Sequence, residues 1–367
     1  MTKSVAIIGT RGYPSYYGGF ETAVRKLAPY LVSLGWDVTV YGRPNGVRAN
    51  DASRDTRVTN VNTAGIETKQ LSTLSFGLMS CLAAWKAKPD VVLIMNVANG
   101  FWLPILKARG IPTVINVDGM EWERAKWGKA AKKMFLLGAK LTARLGDVLI
   151  ADSIEIQRRW KDEFRRDLEF IPYGGDVPEI LPVPEGVIPG TYALLVARFV
   201  PENSVHEFVD ASRQIGKTHD VILVGSAGYA DPIEAKIKSL IATEPRVKWL
   251  GHVSDDVLLH GLWQNAGVYF HGHSVGGTNP ALVQAMACGT PTVARDTVYN
   301  REVLGKGAVF VPPEPTRIAE ACLTVLTDND KRRELAATAF ARSREHYSWE
   351  SVCDKYAALL RKSVRSS

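Results

Sequence analysis

Short apolar runs recur along the chain, each ended by a polar residue or glycine and followed by a longer stretch of helical period. In the first half these runs are SVAIIG (4–9), DVTVYG (37–42), PDVVLIMN (89–96), PTVINVDG (112–119) and DVLIADS (147–153). Runs this short and this continuously apolar predict strands buried on both faces, as in a parallel sheet. Between them lie amphipathic stretches such as ETAVRKLAPYLVSLG, closed by Gly35, and LMSCLAAWKAK. Strands alternating with helices predict βαβ units. The segment GGDVPEILPVPEGVIPG (174–190) breaks the pattern with the proline and glycine density of a linker. Beyond it the alternation restarts with YALLVAR (192–198), VILVGS (221–226), RVKWLG (246–251), VYFHG (268–272), TPTVARD (290–296) and AVFVPP (308–313). The reading is two doubly wound α/β domains, over 1–175 and 191–346, joined by a linker at 176–190. Ligands of such sheets sit outside the carboxyl ends of the strands, and two such ends can face one another across a cleft.

Length and charge add little to this. A chain of 367 residues suits two ordinary domains. Lysine and arginine number 45 against 38 acidic residues, a balance of 45 − 38 = +7. A mildly basic chain suits an anionic small molecule, a membrane surface or nucleic acid. Cys81, Cys288, Cys322 and Cys353 lie far apart with no metal-ligand spacing, as in a reducing compartment. The apolar start MTKSVAIIGT is too short for a signal peptide or an anchor, so a cytoplasmic protein is expected.

Three stretches carry candidate chemistry. In TRGYPSYYGGFET (10–22), Gly18 and Gly19 precede a predicted helix whose free N–H groups favour an anion; a plain turn is the alternative. Neither a GxGxxG fingerprint nor a Walker lysine is present. In LLVARFVPENSVHEFVDA, Arg198 stands just past a strand, where its fork either bridges phosphate oxygens or lies on the surface. In HSVGGTNPALVQAMACG (273–289), glycines open onto a helix that Thr278 or Asn279 can cap, and Gln284 lies near enough to reach a ribose. The alternative there is a capped core helix with one buried amide.

These stretches, in this order, resemble the retaining GT-B glycosyltransferases whose usual signatures are GRL-x-x-x-K-G and E-G-F-G-L-P-x-x-E-A-M-A-C-G-x-P-V-V-A. The resemblance runs over about 3 to 363, with QAMACGTPTVA its most specific part. GTRGYPSYYGGFET and NVDGMEWERAKW resemble a subgroup that includes bacterial rhamnosyltransferases of surface polysaccharide assembly. It implies two Rossmann-like domains, with donor binding in the second and acceptor binding in the first. The donor residues it implies are Gly18, Gly19, Arg198, Asn203, Gly225, Val253, Gly276, Gly277, Thr278, Asn279 and Gln284. Three of them depart from the pattern: Asn203 stands where the family has lysine, and Gly276 and Gln284 where it has its pair of glutamates. An amide at 284 removes a charge that would repel phosphates, and a deoxyribose asks less of that position. Both agree with a dTDP-sugar such as dTDP-L-rhamnose.

For the acceptor, the candidates are Tyr17, Asp118, Glu121 and Trp122. A carboxylate at Asp118 could take a hydroxyl proton or simply cap a helix, and an indole suits a sugar's apolar face. Arg198 and Asp118 are the expected catalytic pair. No covalent nucleophile stands beside a base, which favours front-face displacement. His271 and His273 alternate on a strand end and fit simple packing, so neither a metal nor another cofactor is expected. Residues 122–144 hold Arg124, Lys126, Lys129, Lys132, Lys133, Lys140 and Arg144 against one acid, Glu123. Mixed with Trp127 and Phe135, the run reads either as a solvated face or as a contact with the anionic inner face of the cell membrane. Nucleic acid is not expected, because no recognition motif accompanies the charge. The final helix, within 347–367, is expected to cross back to the first domain. The reading is transfer of a sugar to a saccharide or lipid-linked acceptor. The rival readings are a non-catalytic nucleotide-sugar-binding scaffold and an epimerase on the same fold.

Overall fold

The computed structural model describes the chain except residues 1, 17, 45, 48–50, 52, 68–71, 125–126, 228–231 and 365–367. It divides into two compact units: Met1–Tyr173 with Trp349–Ser367, and Gly174–Ser348.

The first unit carries strands β1 (Ser4–Ile8), β2 (Asp37–Gly42), β3 (Thr59–Asn62), β4 (Val91–Met95), β5 (Thr113–Asn116), β6 (Val148–Ala151) and β7 (Glu169–Phe170). They form one parallel sheet in the order β3-β2-β1-β4-β5-β6-β7. All of β4 is buried, as its unbroken run VVLIM requires of a strand covered on both faces. The helices are α1 (Gly19–Ser33), α2 (Ser72–Ala87), α3 (Leu103–Ala108), α4 (Lys129–Leu145) and α5 (Ile154–Phe164). Strand order reverses at β1, so right-handed crossovers place α1 on one face and α2 to α5 on the other.

The second unit has β8 (Tyr192–Val196), β9 (Asp220–Val224), β10 (Val247–Trp249), β11 (Val268–His271), β12 (Thr292–Arg295) and β13 (Ala308–Val311). Their order is β10-β9-β8-β11-β12-β13, again all parallel. Its helices are α6 (Val205–Ile215), α7 (Pro232–Thr243), α8 (Asp256–Asn265), α9 (Pro280–Ala287), α10 (Val298–Leu304), α11 (Pro315–Thr327) and α12 (Asn329–His346). Phe208 of α6 stacks on Phe270 of β11 at 5.0 Å within the core.

The proline-rich segment is held to this second unit rather than hanging free. Gln264 accepts from the Leu181 N–H at 3.0 Å and donates to the Glu179 carbonyl at 2.8 Å, and Lys248 donates to the Gly186 carbonyl. The last helix, α13 (Trp349–Ser363), belongs to the first unit. There Tyr356 accepts from Asn116 of β5 at 2.8 Å, and Tyr30 of α1 donates to Asp354. No helix of the described residues is long and apolar enough to cross a membrane.

Candidate functional site

In the second unit, the loops that leave β8, β11 and β12 are riveted together. Past β8 the chain carries exposed Arg198, then a short turn over Pro201–Asn203 and a left-handed Ser204 (φ 50°) that starts α6. The Arg198 guanidinium has no partner among the described residues, so its charge is available at the strand end. Gly272, after β11, passes so close to the Asn203 carbonyl that a Cβ there would lie 2.2 Å from it. Ser204 donates to the Gly272 carbonyl, and the Ser274 N–H and hydroxyl both donate to the Glu202 carbonyl, each bond 2.9 Å. From the β12 side, Arg295 donates to Ser204, and Asn300 donates to the carbonyls of His273 and Arg295.

The loop then opens onto α9. Gly276 is buried at φ 92°, in the region that favours glycine, and Thr278 is buried beside it. Asn279, not Thr278, caps the helix by accepting from the Ala281 N–H at 3.0 Å, with Pro280 at the first helical position. Half-buried Gly277 completes the loop. Gly225 follows β9 at φ 135°, where a Cβ would lie 1.8 Å from the Ala197 carbonyl, and half-buried Val253 follows β10. Free N–H groups of a capped helix, glycines permitting close approach and an unpaired arginine are what an anion needs.

Two donor expectations are redirected. Gln284 does not present its amide to a ligand: it accepts from the Asp176 N–H at 3.0 Å and donates to the Asp176 carbonyl at 2.8 Å. It is 9% exposed and clips α9 to the chain where it enters this unit. Asn203 likewise donates to the Arg198 carbonyl at 2.8 Å and meets His273 Nδ1 at 2.6 Å. Buried His271 bonds Tyr269 through Nδ1 at 3.0 Å, while its Nε2 has no hydrogen-bond partner among the described residues. Burial pushes its pKa down to about 3, so it is neutral at physiological pH. Burial also raises the Cys288 thiol to about 12, too high for a thiolate nucleophile.

In the first unit, Gly18 is extended and supplies no side-chain cap to α1, which begins at Gly19. Glu21, buried in that first turn, accepts from the Arg11 N–H at 3.1 Å. Its carboxylate thus sits where the sequence suggested a bound phosphate, and it would repel one. Tyr17 lies outside the described residues. Asp118 follows β5 in a left-handed conformation (φ 60°), which costs a non-glycine residue about 1 kcal/mol or more. It caps no helix: the turn at Glu121–Glu123 has Met120 at its cap position. Its N–H donates to Asn116, and its carboxylate lies 3.7 Å from Arg124. Glu121 is 3% exposed, paired with Arg124 and accepting from the Trp127 indole at 2.8 Å, so it shapes the loop instead of greeting an acceptor. Trp122 packs edge-on against Phe164 at 5.8 Å and Trp160 at 6.5 Å, which commits much of its ring to α5. Asp118 therefore remains as the partly exposed carboxylate, at 22%.

Sequence reasoning missed the Asn203–His273 pair and the Gln284–Asp176 clip. Each partner is 70 or more residues from the other, and no local pattern links them.

Residues 189–342 match the family described as glycosyl transferases group 1, and residues 2–176 match a domain of unknown function, DUF1972. The chain is 23% identical over 164 residues to the O-antigen chain mannosyltransferase B of Escherichia coli. It is 28% identical over 220 residues to the phosphatidyl-myo-inositol mannosyltransferase of Mycobacterium leprae. Those stretches cover 44% and 58% of this chain, and the chain spans about half the length of these relatives, 43% and 57%. Sucrose-phosphate synthase from Thermosynechococcus elongatus superposes with a TM-score of 0.83 at 19% identity, over 98% of each chain. Anabaena HepE in complex with UDP and glucose does so with a TM-score of 0.76 at 19% identity, over 98% of this chain and all of that one. Two parallel-sheet α/β units that superpose on these solved structures give the chain the GT-B fold, and its second unit carries the match to glycosyl transferases group 1.

Proposed function

We propose that the chain is a retaining glycosyltransferase that moves a hexosyl or deoxyhexosyl group from a nucleoside-diphosphate sugar to a saccharide or lipid-linked acceptor. One observation carries it: unpaired Arg198 at the end of β8, on a loop tied to the glycine loop and capped N-terminus of α9. That set offers one permanent cation and several N–H donors to a diphosphate, which develops charge as it leaves.

The acceptor oxygen bonds to the anomeric carbon on the face that the diphosphate leaves. The carbon–oxygen bond to the β-phosphate breaks with its electron pair on that phosphate oxygen, which takes the acceptor's proton. Asp118 binds the acceptor hydroxyl beforehand. The high thiol pKa of Cys288 supports this route over a double displacement through that side chain.

For the donor, dTDP-L-rhamnose is the first candidate. Gln284 adds nothing for or against a ribose, because its amide is committed to Asp176. A mannose donor and UDP-glucose are the rivals that the names of the relatives and the HepE complexes suggest. An anionic membrane surface is the proposed partner of the first unit and fits a lipid-linked acceptor.

A thermal-shift panel of dTDP, UDP, GDP and their sugars tests the reading, because a ligand bound only by the folded state raises its midpoint. At least one diphosphate should raise it, and R198A should abolish the shift and lower turnover by about 10²–10³ at unchanged stability. A chain that binds none of them is not a nucleotide-sugar enzyme. One that binds but transfers no sugar is the non-catalytic scaffold.

A further inference from the structure

The Asn203 amide can be oriented without ambiguity. A carbonyl oxygen only accepts, so the atom facing the Arg198 carbonyl at 2.8 Å is the NH2 group. The amide oxygen therefore faces His273, and at 2.6 Å it accepts from an N–H on Nδ1. An amide oxygen accepts that bond equally well from neutral imidazole and from imidazolium. With Nδ1–H directed at Asn203, the other donor position of the ring is Nε2.

The ring is also held in place. Asn300 donates to the His273 carbonyl, and the flanking Gly272 and Ser274 are bonded to Ser204 and Glu202 across the gap between the loops. Gly276 follows three residues along the same loop, within about 10 Å by chain reach. Arg198 is the residue whose carbonyl orients Asn203. One amide thus links the backbone of the loop's arginine to the imidazole that leads into the helix N-terminus.

We propose that His273, oriented by Asn203, is the second cation of the diphosphate site. It donates from Nε2 to the phosphate oxygen that keeps the electron pair when the sugar leaves. The inference rests on the donor reading above and makes Asn203 a positioning residue. His273 keeps its own proton throughout, since the hydrogen bond and the charge suffice and the leaving oxygen takes the acceptor's proton.

Calorimetric titration of the full chain with UDP, GDP and dTDP, each against its monophosphate, tests this. H273Q can still donate to Asn203 but carries no charge. For the diphosphate that wild type binds, it should lose about tenfold to a hundredfold in affinity, the worth of a hydrogen bond to a charged group. Its loss for the monophosphate should be smaller. H273K should recover most of the diphosphate affinity, and N203A should fall towards H273Q while still folding, with a lower thermal midpoint because the Arg198 carbonyl loses its donor. Recovery by lysine is what a merely structural histidine would not allow. If H273Q binds the diphosphate within twofold of wild type while R198A does not, the donor reading stands and the role of His273 is refuted. If wild type binds no nucleoside diphosphate, both fall.

Discussion

At the residue scale, the site is governed by where each polar atom spends its hydrogen bonds. Gln284 has the sequence position of a ligand and the bonding of a clip, because the backbone of Asp176 satisfies both ends of its amide. Q284E replaces the donating NH2 by a carboxylate oxygen that faces the Asp176 carbonyl. Leaving that part-buried carbonyl unpaired should cost the second unit about 1–3 kcal/mol, read as a lower denaturation midpoint. Diphosphate affinity should stay within twofold. The opposite pattern, intact stability with altered affinity, would return Gln284 to the ligand. The same accounting demotes Glu121, whose carboxylate serves Arg124 and Trp127, and leaves Asp118 as the acceptor candidate. Residue types at 284, 121 and 118 were legible in the sequence. The partner of Gln284 was not, because a hydrogen bond across 108 residues leaves no local trace, while those of Glu121 and Asp118 are near in sequence but depend on how their loop turns.

At the scale of elements, α4 settles which part of the basic run can meet a surface. Lys129, Lys133, Leu137, Lys140 and Arg144 recur at helical spacing and are exposed, Leu137 by 50%. Lys132 is half-buried, and Lys126 lies outside the described residues. Phe135 is turned inward against Trp127 at 5.2 Å, so it cannot enter a membrane as the sequence suggested. The contact that remains is electrostatic, with Leu137 its one strongly exposed apolar side chain. Each basic residue near an anionic surface contributes about 1 kcal/mol, screened by salt. Co-sedimentation with liposomes should therefore need anionic lipid, fall at high salt and be lost when Lys129, Lys133 and Lys140 become Glu. Equal binding to neutral liposomes, or none at low salt, would leave α4 as a solvated helix. The sequence supplied the amount of charge, and the helix's rotation against its own sheet decided which charges face out.

For the whole molecule, pH acts through groups that burial holds neutral. His271, with a folded pKa near 3 against an ordinary 6.5, binds a proton more readily when unfolded. The sign follows: its contribution is complete above about pH 6.5 and is lost as pH falls from there towards 3. One such group changes stability by about 1.4 kcal/mol per pH unit, or about 2 kcal/mol between pH 6.5 and 5. Denaturant titrations should show that difference in slope between wild type and H271F over this window, and parallel curves would mean that His271 is not buried neutral. What the sequence determined by itself is the run of elements apart from the short edge strands β3 and β7: short apolar strands, intervening helices and the glycine loop onto α9. Each of these follows from a periodicity of two, of 3.6, or from the φ demands of a few residues. Only the tertiary structure decided strand order, the Asn203–His273 pair and the inward turn of Gln284 and Phe135. Those outcomes depend on which distant segments exclude water together, and burial is a property of the packed chain that no window of sequence contains.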